Sequence, residues 1–388
     1  MYRVGQEEID ACRRVIESGE FFKINSGAME VIHFEEELKE KFGTPYAVCM
    51  TSGKAALISA LVGMGIGPGD EVIVPAYTYI ATAMAVTAVG AIPVIAECDE
   101  TLTLDPDDFE SKITPETKAV IPVHIQGLPC NMDRIMAIAR AHGILVLEDA
   151  CQADGGSYHG KRLGTIGDAG AYSFNCFKTI TSGEGGAMVT NDRKIYERGF
   201  IYHDASAVAF FGNQLESVEE EQFCGTEYRV SELTGAILRE QLKKLDPILA
   251  DLRRNHEYLL RRLGSRYRFV KSNDPDGDCA TRIIFWFDSE EEALAFKAKS
   301  DAAGYYAVRP IDTGRHVYSN WTPILRERGA FHPAFDPFKM EANKNLRHHY
   351  TPDMCPKSLS YLARAVYLGV DPNADEERLE NMIRPLLA

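Results

Sequence analysis

Residues 148–192, EDACQADGGSYHGKRLGTIGDAGAYSFNCFKTITSGEGGAMVTND, hold the side chains best suited to chemistry. Lys178 sits in a polar loop that runs into the glycines of GEGG (183–186), and Asp149 ends an apolar run. A lysine amine attacks an aldehyde or ketone carbonyl once desolvation or nearby positive charge lowers its pKa. If that aldehyde belongs to a pyridine cofactor, the ring nitrogen must stay protonated to draw electrons, which needs an Asp or Glu beside it. Lys178 and Asp149 are the candidates for these roles. Taken singly, a loop lysine is equally a solvated surface charge. The glycines after it allow a tight turn, and Glu184 among them faces either solvent or substrate.

Such groups must be held by a scaffold, and the chain supplies one. From about residue 46 to 191, short apolar runs alternate with helical patterns: AVCM (47–50), EVIVP (71–75), IPVIAE (92–97), AVIPVH (119–124), ILVLED (144–149) and AYSF (171–174). This rhythm predicts an α/β fold with a mostly parallel sheet covered on both faces, and ligands in such sheets bind beyond the carboxyl ends of the strands. Thr51 and Ser52, Tyr77 to Tyr79, His124, Asp149 and Lys178 all fall at those ends. Ser52 and Gly53 open a helix, either as a simple cap or as a phosphate cradle. A long amphipathic helix is expected over 231–263, then RIIFWF (282–287), a helix over 290–304 and a closing helix near 375–387. We expect a large domain over 1–240 and a smaller C-terminal α/β domain over 241–388. The connection 203–225 is long enough to be functional.

The formal net charge of -15 argues against nucleic acid or an acidic membrane as partner. Nine scattered cysteines without paired spacing offer no metal site and fit a reducing cytoplasm. No apolar run reaches the eighteen residues of a membrane span, and the charged opening segment does not read as a signal peptide. Small molecules are the expected ligands.

The pattern SFxxxKxxxxGEGG, preceded by EDxxQ, resembles the DegT/StrS-type sugar aminotransferases, which are fold type I pyridoxal phosphate enzymes. The similarity runs through FEEELKEKFG (34–43), SGKAAL (52–57), PAYTYIATA (75–83), PVHIQGLPCNMD (122–133) and EYRVSEL (227–233) to the final helix. The resemblance implies Lys178 as the Schiff-base lysine, Asp149 at the pyridinium nitrogen, Gln152 at the ring hydroxyl and Tyr79 stacked on the ring. It also implies Ser173, Ser52 and Gly53 at the phosphate, and His203 near the substrate. Two positions depart from the family pattern: Lys54 replaces the usual Thr, and Glu227 replaces an Asn that reaches the neighbouring subunit's phosphate in a homodimer. A carboxylate facing a phosphate is repelled, so Lys54 and Glu227 either compensate each other across the interface or point to solvent.

The resemblance further implies a ping-pong transamination through an aldimine and pyridoxamine phosphate. L-glutamate is the expected donor, and Lys178 moves the proton as general acid and base. Sugar 3-dehydratase relatives carry histidine at that position, so Lys178 argues for transamination. For the acceptor, YAVRPIDTGRHVYSNW (306–321), DPDGD (274–278), CQADGGSY (151–158) and FKTIT (177–181) are similar to the branch that aminates an 8-oxo-3-deoxy-octulosonate, a lipopolysaccharide sugar. Arg309, Arg315 or His316 could hold its carboxylate. A nucleotide-linked keto-deoxyhexose or a keto-cyclitol remains open, as does a non-catalytic aminotransferase-like regulator. The regulator would be expected to lose the lysine or add a DNA-binding segment, and neither is seen in this sequence.

Overall fold

A computed structural model of the chain describes residues 2–25, 27–209 and 217–387. Its centre is a seven-stranded sheet of β1 (Tyr46–Met50), β2 (Glu71–Pro75), β3 (Ile92–Ala96), β4 (Thr117–Val120), β5 (Leu145–Asp149), β6 (Ala169–Ser173) and β7 (Gly186–Thr190). The spatial order is β1-β7-β6-β5-β4-β2-β3. β7 runs antiparallel to both neighbours, and every other pair is parallel. The expected apolar runs all became strands. Successive residues alternate between two buried clusters, Ala47 and Cys49 joining one and Val48 and Met50 the other, so both faces of the sheet are covered.

The helix Gly53–Gly63 packs against the sheet with small residues, Ala55, Ala56 and Ala60, all buried. The long helix is Glu232–Leu263, with Ser231 before it. It packs on helices Gln6–Ser18 and Glu30–Phe42 near its start, and on helix Glu376–Leu387 and a second sheet beyond. That sheet is antiparallel and comprises β8 (Arg268–Phe269), β9 (Arg282–Trp286) and β10 (Ala365–Gly369) in that order. β10 was not anticipated, because AVYLG follows helix Pro356–Arg364 without a turn signal.

A segment far along the chain returns to the large sheet. The Thr78 amide donates to the His316 carbonyl at 2.9 Å, Ile80 to Arg315 at 2.9 Å and Tyr318 to Ala76 at 3.0 Å. Residues 315–318 thereby extend the carboxyl end of β2. No helix among the described residues is long and apolar enough to cross a membrane.

Candidate active site

β5 ends in two carboxylates that serve different purposes, because neighbouring strand residues point to opposite faces. Glu148 is buried and accepts from the amides of Gly164, Ile166 and Gly167 at 2.6–2.8 Å, fixing the loop before β6. His124 completes this network. Its Nδ1 accepts from the Cys130 amide, so Nε2 carries the proton and donates to Glu148 at 3.0 Å. His124 is therefore structural. Asp149, 5% exposed, accepts from the Thr82 hydroxyl at 2.8 Å and the Cys151 amide at 3.1 Å. These bonds hold the carboxylate in one orientation.

Lys178 is presented by a loop with a closed neck. The Phe174 amide donates to Gly185 at 2.8 Å, Ser182 to Phe174 at 3.0 Å and Cys176 to Gly183 at 3.1 Å. The Lys178 amide donates to Asn175 within the loop. Gly183 takes φ +87°, which a side chain would strain. Lys178 lines a cavity of about 220 Å³ together with Gln126, Gln152, Asp154, Arg282, His316 and Tyr367, among others. The Gln152 side-chain oxygen accepts from the Gln126 amide at 3.3 Å.

The phosphate candidates also converge. Ser52 caps helix Gly53–Gly63, its hydroxyl accepting from the Ala55 amide at 3.1 Å. Gly53 is packed so closely that a Cβ there would lie 2.6 Å from Cys151 Sγ and 2.8 Å from Ser173 Cβ. A Cβ on Gly186 would meet the Gly53 nitrogen at 2.6 Å. The GEGG segment thus presses on the helix start, and Ser173 stands beside it. Burial lowers the pKa of Lys54.

Tyr79, 38% exposed, offers an open ring with the Arg315 guanidinium 5.6 Å from its centroid and the His316 ring at 5.3 Å. Burial, aided by the charges of Lys178 and Arg315, pulls the His316 pKa down, so this imidazole is neutral near pH 7.

Four other candidates lie outside this cavity. His203 is fully buried at the end of helix Arg193–His203; its Nδ1 meets the Phe200 carbonyl at 2.7 Å, and burial holds its pKa well below the usual value. It braces the chain, its carbonyl accepting from the Tyr228 amide, and does not line the cavity. Arg309 is committed to Asp312 at 2.9 Å and Glu290 at 2.7 Å, which leaves its charge answered within the chain. Glu184 is exposed and lines no part of the cavity. Glu227 pairs with Arg229 at 3.0 Å, while Lys54 has no carboxylate within 4.0 Å among the described residues, so the two do not pair within one chain.

The sequence reading overlooked Gln126, Asp154, Thr281, Arg282 and Tyr367 on the cavity wall. Asp154 is buried beside the Thr179 backbone amide, and burial pushes its pKa well up against the opposing charge of Lys178 and that amide. Gln126 had a local signal, since in PVHIQG (122–127) it directly precedes a glycine after a strand end. Its φ of 56° turns the chain there.

This set fits pyridoxal phosphate. It offers an amine for the aldehyde, an anchored carboxylate for the pyridinium, an open aromatic face and a serine-capped helix start for a phosphate. Comparison with known proteins agrees. The chain is 39% identical over 269 residues to the GDP-perosamine synthase of Caulobacter vibrioides, covering 68% of this chain and 69% of that protein. It is 34% identical over 298 residues to the L-glutamine:2-deoxy-scyllo-inosose aminotransferase of Streptoalloteichus tenebrarius, covering 74% and 69%. Among solved structures it resembles S. venezuelae DesV in complex with ketimine intermediate, with a TM-score of 0.78 at 29% identity, covering 98% and 93%. The family model for DegT/DnrJ/EryC1/StrS aminotransferases matches residues 3–386, and the chain belongs to that family of sugar aminotransferases.

Proposed function

We propose that the chain transfers an amino group from an amino-acid donor, L-glutamate, to the keto or aldehyde carbon of a sugar, with pyridoxal 5'-phosphate as its cofactor. The observation that carries this reading is the meeting of Lys178 and Gln152 on a small polar cavity, with the Asp149 carboxylate, at the end of β5 three residues before Gln152, fixed by two donors. The cofactor, when bound, supplies an aldehyde for the amine and a ring that withdraws electrons from the substrate carbon.

The chain's own residues do the rest. Asp149 keeps a proton on the ring nitrogen, and Thr82 keeps Asp149 aimed. Gln152 bonds to the ring hydroxyl, and Tyr79 covers the ring face. Ser52, Gly53 and Ser173 hold the phosphate at the helix start, where the Lys54 ammonium adds charge. Lys178 Nζ, once freed, takes the proton from the donor's α-carbon as general base and, in the second half of the reaction, delivers a proton to the acceptor carbon as general acid. The cavity's small volume limits water around that amine.

The unit at work is a homodimer with shared sites. An exposed apolar groove beside the lysine loop, with Tyr2, Val4, Ile9, Ile16 and Cys176 on its walls, favours a second copy as its cover. Glu227, largely exposed, then reaches the partner's phosphate end, where the partner's Lys54 offsets it. We divide the chain near residue 240, inside the long helix, and place the enzyme in the cytoplasm, where its nine free cysteines stay reduced.

The relatives' names favour a nucleotide-linked keto sugar or a keto-cyclitol as acceptor. A second reading, the 8-oxo-octulosonate of lipopolysaccharide, is favoured by a cavity wall that carries an arginine without a carboxylate partner. The test is to load the protein with amino donor, remove the keto acid and offer a panel of keto sugars, cyclitols and keto-sugar acids. Return of the original cofactor spectrum identifies the acceptor class; no response from any member rejects a carbohydrate acceptor.

A further inference from the structure

Arg282 begins β9 and lines the same cavity as Lys178. One guanidinium nitrogen donates to the Thr281 carbonyl at 2.8 Å, while the buried Nε has no partner. The guanidinium carbon lies 5.6 Å from the centre of the Tyr367 ring. Across the strand pair stands Gly369, where even a Cβ would come within 3.5 Å of Arg282. No carboxylate lies within 4.0 Å of Arg282 among the described residues.

Two other withdrawn arginines have carboxylates, Arg309 with Asp312 and Glu290 and Arg239 with Glu30 and Glu37, while Arg253 and Arg364 rest on carbonyl oxygens and do not line the cavity. A cation withdrawn from water without a counter-ion is costly, and the cost is met when a ligand brings the anion. Burial already disfavours the charged form of Arg282. We propose that Arg282 binds a substrate carboxylate in the cavity beside Lys178, making an acidic ligand the preferred occupant.

The chemistry matches a carboxylate better than a phosphate. The planar guanidinium fork pairs with two carboxylate oxygens, and Gln126, His316 and Tyr367 stand on the same wall as neutral donors. A phosphate dianion calls for more charge or a helix start, and the helix start near the site is the one at Ser52 and Gly53. The proposal rests on the transamination reading, in which donor and acceptor use one cavity in turn. The carboxylate therefore belongs either to the amino-acid donor or to a sugar acid.

The test uses the cofactor-loaded protein with Arg282→Gln and Arg282→Lys, each checked for folding by its melting temperature. Single-turnover rates are measured separately for L-glutamate, for a keto-sugar acid and for the matching neutral keto sugar. Arg282→Gln is expected to lower kcat/KM at least about 30-fold wherever the carboxylate is bound, with partial recovery in Arg282→Lys and the neutral acceptor unchanged. A loss with L-glutamate assigns the donor, a loss with the sugar acid assigns the acceptor, and no loss in either overturns the proposal. Calorimetric titration of glutarate against glutaramide reads binding without turnover, so it decides the donor arm even if no acceptor reacts. Equal glutarate affinity in wild type and Arg282→Gln rules out the donor carboxylate, and together with no loss for the keto-sugar acid it overturns the proposal.

Discussion

Gly53→Ala tests the phosphate end of the site through packing alone. The glycine does not need an unusual backbone angle, so the added methyl acts by contact. Its Cβ would lie 2.6 Å from Cys151 Sγ and 2.8 Å from Ser173 Cβ, whereas non-bonded heavy atoms prefer about 3.5–4.0 Å. The helix start must retreat from β6 by roughly 1 Å, which is enough to break a hydrogen bond aimed at a fixed phosphate oxygen. Overpacking of this kind costs about 1–3 kcal/mol of folding stability. Loss of one bond to a charged phosphate costs a further 1.5–3 kcal/mol or so of cofactor affinity, about 10- to 100-fold in Kd. Chemical denaturation of the apoprotein reads the first effect. Fluorescence titration of folded apoprotein with pyridoxal phosphate reads the second, and pyridoxal without phosphate serves as control. The variant should lose affinity for the phosphorylated form only. Equal weakening of both forms, or unchanged affinity for the phosphate ester, would refute the assignment of Ser52, Gly53 and Ser173 to the phosphate.

Thr82→Val removes the 2.8 Å bond to Asp149 while keeping the side-chain shape, and kcat should fall about 10-fold with little change in melting temperature. Unchanged turnover would mean that Asp149 needs no such anchor. Arg309→Ala should lower stability by about 1 kcal/mol through its lost pairs with Asp312 and Glu290, yet leave KM for every substrate unchanged. His256 makes a contribution to stability that falls as pH drops below 6.5. His256, with its pKa pulled down to about 4 by burial, stays neutral in the fold while the unfolded chain takes up the proton. Asp278, pushed up to about 7 by burial, opposes this trend, since the fold holds its proton from about pH 4 to 7 where the unfolded chain does not. His256→Asn should raise the stability at pH 5 relative to that at pH 6.5 by up to about 2 kcal/mol, as read by denaturant unfolding; an unchanged difference between the two pH values would remove His256 as a contributor.

Most of the scaffold was legible because buried parallel strands write themselves as short apolar runs, and the strand ends then located Asp149 and the Lys178 loop. The cofactor end is local in sequence, so Ser173, Lys178 and the GEGG turn came out of one contiguous motif. The cavity wall is not. Arg282 and Tyr367 come from paired strands more than eighty residues apart, and each looks ordinary among its neighbours. Arg309 misled for the opposite reason: the run RPID places Asp312 one short turn away, a partner readable from sequence that cancels the charge. His203 misled because burial at a helix end, unlike a motif, leaves no trace in residue type.

The contrast between the two ends has a structural cause. Tyr79 lies between Thr78 and Ile80, whose amides are tied to the carbonyls of His316 and Arg315. The residue proposed to cover the cofactor ring is thus clamped by the very segment that brings His316 to the cavity. A change in 306–321 that reshapes the acceptor side must therefore shift Tyr79 or break those two bonds. Acceptor choice and cofactor seating are mechanically joined here, so substitutions in 315–317 should alter the cofactor's absorption as well as the acceptor's KM. Asp149 is anchored by Thr82 and Cys151, and Thr82 in turn bonds to the Thr78 hydroxyl and the Tyr79 carbonyl, so a shift of that clamp also reaches the carboxylate proposed to hold the ring-nitrogen proton.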